Sequence, residues 1–344
     1  MSSILTNDSA RIALATLQGI NGSIADTQRE IATGRRVASA GDNAAVWAIS
    51  KTMEADVVGY RRISDSLALG DATLSVARRG AETITDLLTD MKGRVVSAQG
   101  ENVDRAKIQS GIAALRDQIG AVVETAQFNG MNLLKNTGTD AGTGSAAVLG
   151  FLQRGENGVT GVDIAISKRD LGTGTHSISA SGGTYSADAA TATLDATRSV
   201  TLDASSITIE AGMAFSLSLY GTDADNSSFD QDTLRTTAGA SETQAEMAGS
   251  EIAYVARDGD TAHSVLTALA RRYDSYAARN GIDAGTLSMT ASGSGLALTS
   301  SVTDGSDSIT VSLNTLGADA GNTIGGGLAL LDDLDVSTGT GAVD

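Results

Sequence analysis

Apolar residues recur every seven positions between Val46 and Val95. One frame places Val46, Met53, Tyr60, Leu67, Leu74, Ala81, Leu88 and Val95 at a, and Ile49, Asp56, Ile63, Gly70, Ala77, Ile84 and Met91 at d. Only Asp56 and Gly70 break the stripe. With charges such as Lys51, Arg61, Arg78 and Lys92 at other positions, this run predicts one long helix with a narrow coiled-coil seam. Its roughly 50 residues at 1.5 Å each give a rod of roughly 75 Å, which cannot bury its seam against itself.

Residues 4 to about 33 predict a first helix, with Leu17, Ile20, Ile24 and Ile31 on one stripe that Ala10, Ala13 and Leu14 extend. Gly34 is its stop, with Arg35 and Arg36 near the negative helix end. Ala38 to Asn43 then form a turn, with Asp42 expected as N-cap of the long helix. After a second turn a third helix, capped by Asn102 and running to about Gln127, carries Ile108, Ile112, Leu115 and Ile119. The short connection makes it antiparallel to the long helix. It spans only half the rod, so half the seam lacks a partner in this segment.

Asn129-Gly130 is a turn signal, and beyond Lys135 the period changes to 2. Val162, Ile164 and Ile166 alternate, as do Ile207 and Ile209, the odd positions from Met213 to Leu219, Leu287 and Met289, Leu296 and Leu298, and Ile309, Val311 and Leu313. Ile252 to Ala256 is assigned to strand, and a helix is expected from about 261 to 279. The fold class is therefore α + β, a long coiled-coil-like rod with a β-rich insertion. After Gly325-Gly326-Gly327 the chain shows one short apolar run and no third long heptad segment.

Charge separates the two parts. Residues 1–136 hold 15 basic and 15 acidic side chains, hence none net; residues 137–344 hold 9 and 26, hence the whole −17. The helical part is suited to packing, the remainder to an acidic solvated surface, and nucleic acid is not an expected partner. No proline occurs, where average usage would give roughly 17, which leaves long helices unbroken and suits export unfolded. Without cysteine there is no disulfide or thiol chemistry. The amino terminus lacks the regions of a cleaved signal peptide, and no membrane span is expected.

Candidate chemistry is thin. The histidines are His176 and His263, with no His-Glu-x-x-His and no Gly-x-Ser-x-Gly to support a triad. Asp223, Asp225, Asp230 and Asp232 suggest calcium, but Ser228 and Leu234 stand where an EF-hand needs Gly and Glu. A solvated acidic loop is the preferred reading, as it is for Asp332, Asp333 and Asp335. Asn226-Ser227-Ser228 matches the N-glycosylation pattern. No catalytic residue, cofactor or metal is expected.

The stretch Thr33-Gly34-Arg35-Arg36-Val37-Ala38-Ser39-Ala40-Gly41-Asp42-Asn43-Ala44-Ala45 resembles the flagellin signature "SGxRIxSAxDDAAG". Trp47-Ala48-Ile49 and Gln127-Phe128-Asn129-Gly130-Met131-Asn132-Leu133-Leu134 are similar to later landmarks of that family. The resemblance covers residues 1 to about 136, with Ser39, Ala40, Asp42, Asn43, Ala44, Ala45, Asn129 and Gly130 carrying the signature; residues 259–303 weakly resemble an insert of flagellins and hook proteins. It implies a secreted, non-enzymatic subunit that polymerises with copies of itself into the extracellular bacterial flagellum. Implied partners are an export chaperone, the export apparatus, and hook-associated and cap proteins. A hook-filament junction protein is the alternative, and a secreted coiled-coil adhesin a third.

The implied domains are 1–40 (amino-terminal helix, D0-like), 41–136 (D1-like), 137–335 (variable, β-rich, D2-like) and 336–344 (linker). Family members continue into a carboxy-terminal helical segment that this sequence lacks. A truncated chain or fragmentary reading frame is expected before a relative that borrows its partner helix. Assembly is assigned to the a and d positions of the long helix with Ile108, Ile112, Leu115 and Ile119, and terminal-helix packing to Leu14, Leu17, Ile20, Ile24 and Ile31.

Overall fold

The computed structural model describes residues 8–155, 158–196, 198–225, 227–303 and 305–337. Residues 4–7 of the expected first helix, the sequon residue Asn226 and the linker from 338 lie outside them. Two compact units result, one from residues up to 67 with 149–163, the other from 68–148 with 164 onward.

In the first unit, α1 (Asp8–Thr33) ends where Gly34 turns left-handed at φ +64°. None of its side chains is buried. The long helix α2 (Ala44–Ala98) begins in this unit. Its N-cap is Asn43 and not the expected Asp42: Asn43 Oδ1 accepts the Val46 N–H at 3.1 Å. Asp42 instead closes the preceding turn, accepting N–H groups from Ala38 and Ser39 at 3.0 and 2.9 Å. Those two donors, Ser39 foremost, hold its carboxyl below the usual range. Asn43→Ala is expected to lower stability by about 1 kcal/mol, the typical worth of such a cap. Urea denaturation followed by circular dichroism checks it.

The first unit also contains the middle of a hairpin, β3 (Ser145–Gly155) and β4 (Gly158–Ser167). The Leu149 N–H donates to Ser66 Oγ at 3.0 Å, Leu152 lies over Gly59, and Arg154 pairs with Asp56 at 2.5 Å. Between Asp56 and Ser66 the helix rises about 15 Å, and five strand steps cover about 17 Å, so β3 runs antiparallel along the helix. Residues 149–163, which the sequence reading places in the β-rich region, pack with the helix in this unit.

In the second unit α3 (Arg105–Thr125) lies on the carboxy-terminal half of α2. Asp104, not Asn102, caps it, accepting from the Lys107 N–H at 3.0 Å. β1 (Gln127–Phe128) and β2 (Met131–Asn132) make a two-residue hairpin. Asn129 and Gly130 take φ +50° and +80°, the primed turn for which Asn-Gly is suited.

The β body of this unit has two antiparallel sheets. One is ordered β5 (Tyr185–Leu194), β11 (Ser308–Leu316), β7 (Ala214–Thr222), β8 (Ala253–Val255); the other β6 (Ser199–Asp203), β10 (Gly295–Thr299), β9 (Ser288–Ser292). Its core joins Phe215, Leu217, Leu219, Val311 and Leu313 to Leu202, Leu296 and Leu298 and to α5 (Ala262–Asn280) through Leu266, Leu269 and Tyr273. Thr261 caps α5 and Gly281 ends it at φ +67°. The short α4 (Gln244–Ala248) was not legible, and Ile207 and Ile209 sit in irregular chain packed on this core, not in a strand.

Chain enters and leaves the β body side by side. Ser177 and Thr323 exchange both backbone hydrogen bonds, the Gly326 N–H donates to Gly174 O at 2.7 Å, and the Leu328 N–H to Gly172 O at 2.8 Å. Beyond this ladder Leu328, Leu331, Leu334 and Val336 pack on the α2–α3 cluster, and the Gln109 side-chain amide clasps Leu334 O and the Val336 N–H. Asp332 and Asp333 are not merely solvated, for they pair with Arg116 and Arg279.

Candidate assembly surface

The predicted seam separates into two faces. The d side faces the chain's own elements: Ile63, Ala77, Ile84, Met91 and Val95, the last at a, are buried. Its two breaks are contact points, Asp56 through Arg154 and Gly70 through Val148, whose side chain occupies the space a Cβ would need. Gly80 is covered in the same way by Leu134 and Ala126. On α3, Ile112, Leu115 and Ile119 are buried in the cluster, with Ile108 partly so.

The a side is open. Val46, Met53, Tyr60, Leu67 and Leu74 are exposed, Leu67 at 41% and Tyr60 at 67%, as is Ile49 at the start of the d row. Ala81 and Leu88 are half-buried. The half-seam expected to lack a partner is thus covered on one side by β3 and bare on the other. Sequence reasoning missed β3, although the interruptions at Asp56 and Gly70 were its trace.

Leu14, Leu17, Ile20, Ile24 and Ile31 are all exposed on α1. Arg35, Arg36 and Val37 of the turn meet Val46, Trp47, Met53 and Val57 around a cleft of about 630 Å³. In the signature, Asp42 and Ser39 close the turn, Asn43 caps the helix, and Ala44 and Ala45 open it; Ala40 is exposed and makes no polar side-chain contact. Asn129 and Gly130 belong to the second unit, in the hairpin after α3.

The remaining candidates do not converge. His176 is held near pKa 4 by burial and by Arg272, while His263 is exposed on α5. Among the described residues neither imidazole hydrogen-bonds to a serine or a carboxylate, and no group of three or more His, Cys, Asp or Glu could hold a metal. Asp223 is buried and not solvated. Burial alone would raise its pKa, but the N–H groups of Phe229, Ser228 and Ser227 outweigh that and bring it to about 2. Its oxygens fasten a loop. Among the described residues no helix is long and apolar enough to cross a membrane.

Residues 4–139 match the family model of the bacterial flagellin N-terminal helical region. Flagellin A of Rhizobium meliloti (strain 1021) is 40% identical over 162 residues, 47% of this chain and 41% of that protein. Flagellin FljK of Caulobacter vibrioides is 37% identical over 142 residues, 40% of this chain and 52% of that one. The chain spans about half the length of the curated relatives it matches. A crystal structure of Xanthomonas campestris FlgL aligns over 84% of this chain and 81% of its own at 11% identity, with a TM-score of 0.30.

Proposed function

We propose that the protein is a structural subunit of the flagellar filament, a reading supported by the match of residues 4–139 to the bacterial flagellin N-terminal helical region. It leaves the cell through the flagellar export apparatus with the help of a chaperone, joins copies of itself outside, and meets hook-associated and cap proteins at the ends of the polymer. The observation that carries this reading is the open apolar row Val46, Met53, Tyr60, Leu67 and Leu74. A contiguous exposed apolar row on a folded surface marks an interaction site. A head-to-tail contact that does not close on itself generates a helical filament. The exposed α1 residues Leu14, Leu17, Ile20, Ile24 and Ile31 serve the same assembly, and the d row of α2 with α3 stiffens the surface that presents the contact.

Immunogold electron microscopy with antibodies raised against the β body tests the proposal in the producing bacterium. Label along the whole filament is expected. A single band at the hook would instead indicate a junction protein, and label on the cell body an adhesin; either overturns the reading.

A further inference from the structure

In the β body, the face of β7 turned away from the main core is polar, and a carboxyl group is sealed into it. Glu242 is 2% exposed. Its Oε2 accepts from Ser216 Oγ on β7 and from Asn314 Nδ2 on β11, the latter at 2.8 Å, while its Oε1 has no donor among the described residues. A buried carboxylate left with one bare oxygen and no counter-cation is among the most costly arrangements a fold can hold.

The neighbouring charged groups make ionisation harder. Asp188 lies in a bulge of β5 at φ +50°, where three residues oppose Asn314 alone, and its N–H donates to Asn314 Oδ1 at 2.9 Å. Asp188 Oδ2 accepts from Ser241 Oγ at 2.5 Å, and its Oδ1 is a second buried carboxyl oxygen that no donor reaches. From α4 comes Glu246, engaged in the cap with Thr243. From β5 comes Tyr185, whose hydroxyl donates to Glu242 O at 2.6 Å. Ser216 and Asn314, the contacts from β7 and β11, do not titrate. The charges acting on Glu242 are therefore acidic ones, Glu246 and Asp188.

We propose that Glu242 is a proton-operated latch: its carboxyl is protonated in the closed β body, and loss of that proton to solvent base frees residues 236–250 and the bulged edge of β5. In the closed state the proton keeps the buried carboxyl uncharged beside Glu246 and Asp188. Deprotonation breaks the O–H bond, the proton passes to water, and the resulting carboxylate faces two acidic neighbours inside the fold. Moving it to solvent also withdraws the carbonyl that receives the Tyr185 hydroxyl and the Ser241 contact to Asp188.

Burial raises the Glu242 pKa from 4.5 to about 7 against the lowering hydrogen bonds of Ser216 and Asn314, with Glu246 and Asp188 raising it further. A group whose folded value lies above its unfolded one stabilises the fold fully below the unfolded value. That contribution declines from about pH 4.5 and is lost as pH rises through about 7. The opening equilibrium should accordingly grow on the order of a hundredfold from pH 5 to pH 8.

Hydrogen exchange on the whole protein, corrected for intrinsic rates and read by mass spectrometry at pH 5 to 8, tests this. Wild-type peptides over 185–194 and 236–250 are expected to lose protection with rising pH, whereas Glu242→Gln keeps it. Equal pH dependence in both proteins, or none in the wild type, overturns the proposal. Should the variant fail to fold, the infrared C=O band of a protonated carboxyl decides on the wild type alone. Its presence at pH 5.5 and loss by pH 8, in step with the exchange, supports the latch; its absence at pH 5.5 overturns it.

Discussion

Leu67→Asp is expected to leave the isolated chain folded and to abolish filament growth. Leu67 is 41% exposed at the a position four residues beyond Ile63, which is buried at 7%. A carboxylate at Leu67 stays hydrated in the monomer, and exposed substitutions of this sort cost within about 0.5 kcal/mol. In an assembled filament the same carboxylate would have to be buried without a partner, at several kcal/mol per contact. Each 1.4 kcal/mol is tenfold in the association constant, so the concentration needed for growth rises by about a thousandfold. Unchanged thermal unfolding together with no filaments by electron microscopy is the expected pair of results. Normal filaments would show that the a row is not an interface.

Gly326→Ala is expected to destabilise the β body strongly. A Cβ there would overlap the carbonyl group of Gly172 and crowd the Thr173 N–H. The obstacle is backbone, not the far end of a side chain, and it is held from both sides by Gly326 N–H to Gly174 O and Leu328 N–H to Gly172 O. Overpacking costs about 1–3 kcal/mol, and parting the ladder forfeits two hydrogen bonds worth about 0.5–1.5 kcal/mol each. A loss of roughly 2–6 kcal/mol should be visible as a lower denaturation midpoint and as faster exchange over 170–178. A midpoint within error of wild type would mean that the two strands can separate at no cost.

What the sequence disclosed follows from how local each signal is. The heptad rows located α2 and α3, and Gly34 and Asn129-Gly130 marked turns, because these depend on residues near one another in the chain. The N-caps were each misplaced, by one residue at Asn43 and by two at Asp104, since several polar residues in a turn compete and only geometry selects one. The covering of α2 by β3 was hidden because it joins residues 78 to 98 positions apart. The strands β5 and β6 are rich in Ala, Ser and Thr and carry weak alternation; cross-strand pairs such as Thr191 with Ser312 and Thr193 with Thr310 hold β5 to β11. For the heptad residues the sequence left one distinction undrawn. It joined a and d into a single seam, whereas a stripe already used inside the chain and one left bare look the same in a heptad count.

The glycine ladder at the root of the β body has a topological meaning. Ser177 and Thr323 are bonded to each other at the point where chain enters and leaves, so everything between them hangs from a closed stem. Closing a loop costs entropy that grows only with the logarithm of its length. The helical region therefore experiences much the same boundary whether the excursion is long, short or differently folded. Insertions, deletions and wholesale exchange of that cassette can accumulate without disturbing α2 and α3, provided the stem keeps its glycines.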